Sequence, residues 1–285
     1  MPEGSSSSPA KTPTEAPEAV RLVPLQRLTH GGRWRSEAMR SIREPLLLWV
    51  TRGQGRITVA GTTRGYGAHN AIYIPARTMH GIEVTAPTFG SALRFGAGLA
   101  SLPEAPHHLR IRDAGAQGEM TSLIEALQRE IDAGRPARER AIGLHGSLVA
   151  LWLERQIMAD RSEARDGTHE KASALARAFT ALVEDKLYTG QTIADYATKL
   201  GVSADELTRT CLETCGHTAE DILADRTAFE ARRLLVQTAL PPDHIALMLG
   251  FGSRDDFADA FRARAGIGPS EFRDSSRNRP LSSEW

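Results

Sequence analysis

Cysteine is nearly absent from the chain: only Cys211 and Cys215 occur in 285 residues. Two cysteines cannot build a disulfide framework, so a reducing compartment is the simpler assumption. Net charge is absent too, at +0 with 35 Lys+Arg against 35 Asp+Glu, which neither favours nor excludes a polyanionic partner. Long apolar runs are missing. The strongest, Leu46-Leu47-Leu48-Trp49-Val50, stops at Thr51 and Arg52, far short of the roughly 20 residues that a membrane span needs. The N-terminal stretch has no apolar region of signal-peptide type and reads as a disordered extension, so a cytoplasmic protein without membrane association is expected. No Ser/His/Asp constellation, phosphate-binding loop or dinucleotide fingerprint stands out, so no catalytic residue is named.

What is present is ordinary globular composition, 41% hydrophobic and 25% charged, in a length that suits two domains. From about Leu46 to Phe95 the chain is β-rich. LLLWVT and RITVA flank Arg52-Gly53-Gln54-Gly55, which predicts a hairpin, and AIYIP, GIEVTA and SALRF follow at short intervals. Strands this short and this close predict a barrel or sandwich. From about Gly118 the period changes to that of helices. Met120, Leu123, Ile124, Leu127 and Ile131 share one face, and Leu144, Leu148, Leu151 and Trp152 form an apolar stripe on a second helix. That stripe suits packing against the β-domain or a seam between two chains equally. DRSEARDGTHEK, about 160–171, is the polar linker between domains.

The last third contains a repeat. TIADYATKLGVSADELTRTCLETCG and DHIALMLGFGSRDDFADAFRARAG each hold a short helix ending at Leu-Gly, then an apolar residue, then a Ser opening a second helix. The second helices keep Leu207 and Cys211, or Phe257 and Phe261, at i and i+4, and Gly216 or Gly266 ends them. A short helix, a tight glycine turn and a helix with an apolar inner face predict a helix-turn-helix unit. Two such units about 50 residues apart, joined by a helix over about 218–239, make the signal strong. Thr192, Ser203, Thr218 and Ser253, each followed three residues on by Asp or Glu, fit a capping box. Cys211, Cys215 and His217 form C-x3-C-x-H, but Cys211 occupies the position of Phe261 in the other repeat, so core packing is expected there rather than a metal.

The segment DRTAFEARRLL followed by IALMLGFGSRDDFADAFRARAGIGPSEFR resembles the DNA-binding domain of the AraC/XylS family of transcription regulators, over about 100 residues. The resemblance implies that the helices opening at Ser203 and Ser253 enter successive major grooves of double-stranded DNA. It makes Asp205, Glu206, Thr208 and Arg209 the exposed residues of the first recognition helix, and Arg254, Asp255, Asp256, Ala258 and Asp259 those of the second, with Arg262 and Arg264 beyond them. Arg209 suits a guanine contact because its planar fork matches the O6 and N7 acceptors. Ala258 and Asp259 depart from the family's polar and basic pattern, so the first unit is expected to carry most of the specificity. The counts from Thr168 onward, about 14 Lys+Arg against about 18 Asp+Glu, are unusual for a domain that must neutralise phosphates.

Upstream, RGYGAHNAIYIPARTMHGIEV resembles the second half of a cupin barrel, with Gly67, Pro75 and His80 at the motif spacing and Arg77 where a glycine is usual. The first cupin motif, with its histidines and glutamate, is lacking, so neither metal nor cofactor is implied. The resemblance implies a small effector inside the barrel, for which Trp49, Arg56, Tyr73, His80 and Arg94 are candidate lining residues.

The expected architecture is α+β and multidomain: a cupin-like β-barrel with a helical dimerisation segment, then an all-α domain with two helix-turn-helix units. The expected boundaries are 1–20 for the extension, 21–117 for the sensing domain and 118–160 for the dimerisation segment, then 161–170 for the linker, 171–275 for the DNA-binding domain and 276–285 for the tail. The expected function is effector-controlled, sequence-specific transcription regulation by a homodimer, with RNA polymerase a possible further partner. An interaction protein with a degenerate DNA-binding domain, or a metal-free cupin enzyme with an appended module, are the alternatives.

Overall fold

The computed structural model describes residues 19–29, 39–84, 87–96, 102–160 and 167–278. The expected extension up to residue 18 and the core of the expected linker, 161–166, lie outside these, as does the tail from 279.

Among the described residues, eight strands form two sheets. β1 (Val20–Pro24), β2 (Leu46–Arg52), β5 (Asn70–Ile74), β7 (Phe89–Phe95) and β8 (His107–Arg110) make an antiparallel sheet in the order β1-β7-β2-β5-β8. β3 (Gly55–Val59), β4 (Thr62–Tyr66) and β6 (His80–Val84) make a second, in the order β4-β3-β6. Among the described residues the two remain separate sheets packed over one core, so the cupin-like barrel is not closed. The expected hairpin across 52–55 does not form. Both neighbours of β2 are β5 and β7, which occupy its ladders, so Arg52–Gly55 carries the chain from one sheet to the other. The tight hairpin is instead β3–β4, turned by Ala60 and Gly61 with φ of 48° and 74°. Two consecutive left-handed residues match the right-handed twist of the strands. Its second strand, Thr-Thr-Arg-Gly-Tyr, has no apolar alternation strong enough to be read from sequence.

The five residues Leu46–Val50 are all at most 2% exposed because β2 is central and covered on both faces. Leu46, Leu48 and Val50 meet Ile72, Ile74 and Ala92 and, from the second sheet, Ile57 and Ile82. Leu47 and Trp49 face the other way, with Tyr73, Leu93 and Phe95, onto α1 (Ala114–Ala133) and α2 (Arg138–Ala159). Trp152 of α2 packs edge-on against Trp49 at 5.8 Å, and its indole N–H donates to the Ala116 carbonyl at 3.1 Å. The predicted stripe of α2 is therefore divided: Trp152 is core, whereas Leu144, Leu148 and Leu151 are 60%, 48% and 41% exposed.

The C-terminal region is all helical: α3 (Gly167–Lys186), α4 (Ile193–Leu200), α5 (Ala204–Cys215), α6 (Ala219–Gln237), α7 (Pro242–Met248), α8 (Arg254–Ala265) and α9 (Pro269–Asn278). The expected linker ends earlier than its polarity suggested, since 167–170 already belong to α3. α3, α4 and α5 share one core, with Phe179, Tyr196, Leu207 and Cys211, and Met39 and Met79 of the β-domain join it. A second core, with Leu235, Ile245, Phe257, Phe261 and Phe272, joins α6 to α7, α8 and α9.

Candidate nucleic-acid interface

The repeat seen in the sequence is a repeat in atoms. In the first turn Gly201 N–H donates to Thr198 O and Val202 N–H to Ala197 O; in the second, Gly250 N–H donates to Leu247 O and Phe251 N–H to Ala246 O. These four bonds span 3.0–3.2 Å. Both glycines are left-handed, with φ of 71° and 80°, the conformation a helix end adopts most cheaply without a Cβ. Leu207 and Cys211 in α5 are matched by Phe257 and Phe261 in α8, all at most 1% exposed. Each second helix is thus pinned by its inner face and turns its outer face to solvent.

The caps follow the expected positions with one refinement. At Thr192 the box is reciprocal: the hydroxyl accepts from Asp195 N–H and the carboxylate accepts from Thr192 N–H. Ser203, Thr218 and Ser253 accept from the third backbone N–H, at 3.1, 3.0 and 3.0 Å. The carboxylates of Asp195, Asp221 and Asp256 accept from the capping hydroxyl itself, so at those three sites the acid also steadies the cap side chain.

On the outer face of α5, Asp205, Glu206 and Arg209 are exposed, and Thr208 is half-buried with its hydroxyl donating to Glu220 at 3.2 Å. Arg209 has no hydrogen-bonding or ionic partner among the described residues. The arginines of α8 differ. Arg254 pairs with Asp243 at 3.1 Å and Arg262 with Asp259 at 2.9 Å, while Arg264 donates to Asp221 and Asp225, both at 2.7 Å. Asp255 and Ser253 are exposed beside them. The Arg254 and Arg262 pairs are exposed, worth about 0–1 kcal/mol, so phosphates can compete for these side chains.

The acidity of the domain resolves into pairs that sequence counting could not assign. Arg226, buried, donates to Glu184 at 2.5 Å and to Glu230 at 3.1 Å, and Glu230 also accepts from Arg233 and from the Tyr188 hydroxyl. Arg233, Arg226 and Tyr188 hold the Glu230 carboxyl at about 2 against the desolvation that would raise it. Arg232 donates to Arg264 O and Arg273 to the carbonyls of Leu235 and Leu240, so both fasten helices together. Cys211 and Cys215 are buried, and burial pushes the Cys211 thiol up to about 12, so both act as small core residues.

The first unit also touches the β-domain. Ser41 Oγ donates to Glu184 at 2.6 Å, Thr63 Oγ1 donates to Cys215 O at 3.3 Å, and the β3–β4 turn at Gly61 abuts Ala176 of α3. The five candidate effector residues are not brought together. Trp49 and Tyr73 face α1 and α2, Arg56 is exposed, and Arg94 pairs with Glu44. His80 is fully buried, with Nδ1 2.9 Å from Thr78 O. The space between the sheets, where the effector was expected, is occupied by Leu46, Leu48, Ile57, Ile72 and Ile82. Arg77, at the motif position where a glycine is usual, does adopt a left-handed φ of 56°.

Two pinned helix-turn-helix units on a connecting helix define the class: this is a DNA-binding transcription regulator. Residues 196–275 match the family described as Helix-turn-helix domain, and this part of the chain is an AraC-type domain. No curated protein matches the chain. Among solved structures, it is similar to apo ToxT K231A from Vibrio cholerae at 11% identity and a TM-score of 0.40, covering 90% of this chain and 96% of that one. An AraC-type transcriptional regulator from Chromobacterium violaceum aligns at 26% identity and a TM-score of 0.35, covering 39% and 98%. The DNA-binding domain of AdpA, in complex with a target DNA, aligns at 23% and 0.35, covering 38% and 96%. Among the described residues, no helix is long and apolar enough to cross a membrane.

Proposed function

We propose that the chain reads a specific DNA site chiefly through its first helix-turn-helix unit, and that the β-domain modulates that unit in response to a small effector. The observation that carries this reading is the difference between the two outer faces: Arg209 is unengaged, whereas Arg254, Arg262 and Arg264 are each held by aspartates. A free guanidinium can offer two parallel donors to one guanine, while a paired one must first exchange its carboxylate. Thr208, Glu206 and Asp205 flank Arg209 and would contact neighbouring bases or the backbone. Ser203 and Ser253 lie at helix N-termini, where phosphate is favoured by the helix dipole. The 19 residues of α6 span about 28 Å, comparable with the roughly 34 Å turn of B-DNA that separates successive major grooves on one face.

The contacts of Ser41, Thr63 and Gly61 with α3 and α5 give the β-domain a route to the first unit. An effector acts through this route by binding more tightly to one arrangement of the two domains than to the other. The exposed apolar row Leu144, Leu148 and Leu151 supports a homodimer formed along α2, in a protein working in the cytoplasm. Titration of labelled DNA from upstream of its own or a neighbouring gene tests the reading. Binding must weaken steeply with salt, because each phosphate neutralised releases counterions. A flat salt response would remove the DNA-reading role and favour a protein partner.

A further inference from the structure

Between the two helix-turn-helix units lies a cavity of about 460 Å³, within the range of about 300–1,000 Å³ typical of small-ligand sites. Its walls come from the start of α4, from α6, and from the second turn together with α8. Tyr196, Phe251, Phe257 and Phe261 supply aromatic surface, with Phe251 and Phe257 edge-to-face at 5.3 Å. Two acceptors among the lining groups are left for an occupant's donors. Gln191 Oε1 is buried and has no hydrogen-bond partner among the described residues. Among the described residues Glu220 accepts only the Thr208 hydroxyl, while the other charged lining group, Arg264, is already committed to Asp221 and Asp225.

We infer that this cavity binds an aromatic organic cation, with its ring system among the phenylalanines and its N–H groups donated to Gln191 and Glu220. An orphaned buried acceptor is costly, about 1–3 kcal/mol, until a donor reaches it, which selects ligands that carry N–H or O–H. An uncompensated carboxylate beside aromatic faces favours positive charge on that ligand twice, by direct attraction and through the ring quadrupoles. An anion meets the opposite field, since Glu220 has no cationic partner among the described residues while the charge of Arg264 is balanced by Asp221 and Asp225. Because the walls belong to both units, an occupant touches each of them. A charge seated on Glu220 also competes with Thr208, which lies on the proposed DNA-reading face. The site is separate from the β-domain, so it supplies a second ligand input independent of the proposed effector.

Calorimetric titration of the full chain without DNA tests this with tryptamine as the probe and indole-3-acetate as its anionic counterpart, each up to about 1 mM. Tryptamine is expected to bind one per chain, at least about tenfold more tightly than indole-3-acetate. Glu220→Gln, at an exposed position, should weaken tryptamine at least about fivefold, and Ala224→Phe should block it by filling the cavity. Should Ala224→Phe fail to fold, Glu220→Gln alone decides. Absence of tryptamine binding, equal binding of the anion, or parent-like binding by Glu220→Gln would each overturn the inference. DNA is absent from the experiment, so its failure leaves the DNA-reading proposal standing.

Discussion

Gly190 and Gly250 pack backbone to backbone, and this is where the turn before the first unit touches the turn within the second. Both are left-handed, with φ of 64° and 80°. A Cβ on Gly190 would lie 2.8 Å from Gly250 O, and one on Gly250 would overlap Gly190 Cα. The spacing of the two units therefore depends on the absence of two side chains.

Gly250→Ala is expected to cost more than Gly201→Ala, although both occupy the same place in their repeats. Gly201 has open space around its missing Cβ, so alanine there brings only the left-handed penalty of about 1–2 kcal/mol. At Gly250 the overlap with Gly190 adds about 1–3 kcal/mol and pushes the units apart. Chemical denaturation of the two variants measures the difference; equal losses would mean that the contact does not constrain the spacing.

Arg209→Ala should lower operator affinity at least about tenfold, the loss of one bidentate base contact. Arg254→Ala should change it less than about threefold, because that side chain already holds Asp243 in an exposed pair. Fluorescence anisotropy at fixed salt makes the comparison, and the reverse order would transfer the leading role to the second unit.

Arg226→Ala should destabilise the fold by about 3–5 kcal/mol, since it leaves Glu184 and Glu230 buried around an empty centre. Because Ser41 joins the same cluster, the loss should be accompanied by faster proteolysis between the domains. The double variant Arg226→Met with Glu184→Gln should recover part of the loss. No recovery would show that charge burial is not the cause.

His80 makes stability fall as the medium is acidified. Desolvation, with Arg40 and Arg226 nearby, lowers its pKa from 6.5 to about 3, against the one favourable contact to Thr78 O. Below pH 6.5 the unfolded chain takes up a proton that the folded chain refuses until about pH 3. Stability is thus lost progressively across that window, by up to about 1.4 kcal/mol per pH unit. The slope of unfolding free energy between pH 6.5 and 5 should be shallower in His80→Gln; an unchanged slope would place the titration elsewhere.

Leu148→Lys should convert a dimer to a monomer without lowering the melting temperature, because Leu148 is half exposed in the single chain. Sedimentation equilibrium reads the first effect and calorimetry the second. A parent protein that is monomeric at all concentrations would remove the seam from the proposal.

The repeat was legible in sequence because a helix-turn-helix unit is specified locally. Leu-Gly at the turn, a hydroxyl at the next cap and apolar residues at i and i+4 act within about 25 residues of one another. The continuous burial of Leu46–Val50 was written in its composition for the same reason, since a strand covered on both faces has no polar side to show. Strand partners, by contrast, were not readable. Arg52–Gly55 has the residues of a hairpin turn, yet the two strands it joins find their ladders with β5, β7, β4 and β6, and only the assembled sheets decide that. The same limit separated Trp49 and Tyr73 from the interior expected for them: a period of two places them opposite Leu46 and Ile72 but does not say which face meets the helices. Charge was the clearest case of all. Counting predicted an acidic domain and could go no further, because pairing acts through space over 39 to 43 residues of sequence, as in Arg264 with Asp225 and Asp221. Local residue pattern was enough to specify the two helix-turn-helix units; contacts between distant segments left Arg209 free and made two glycines set how far apart the units stand.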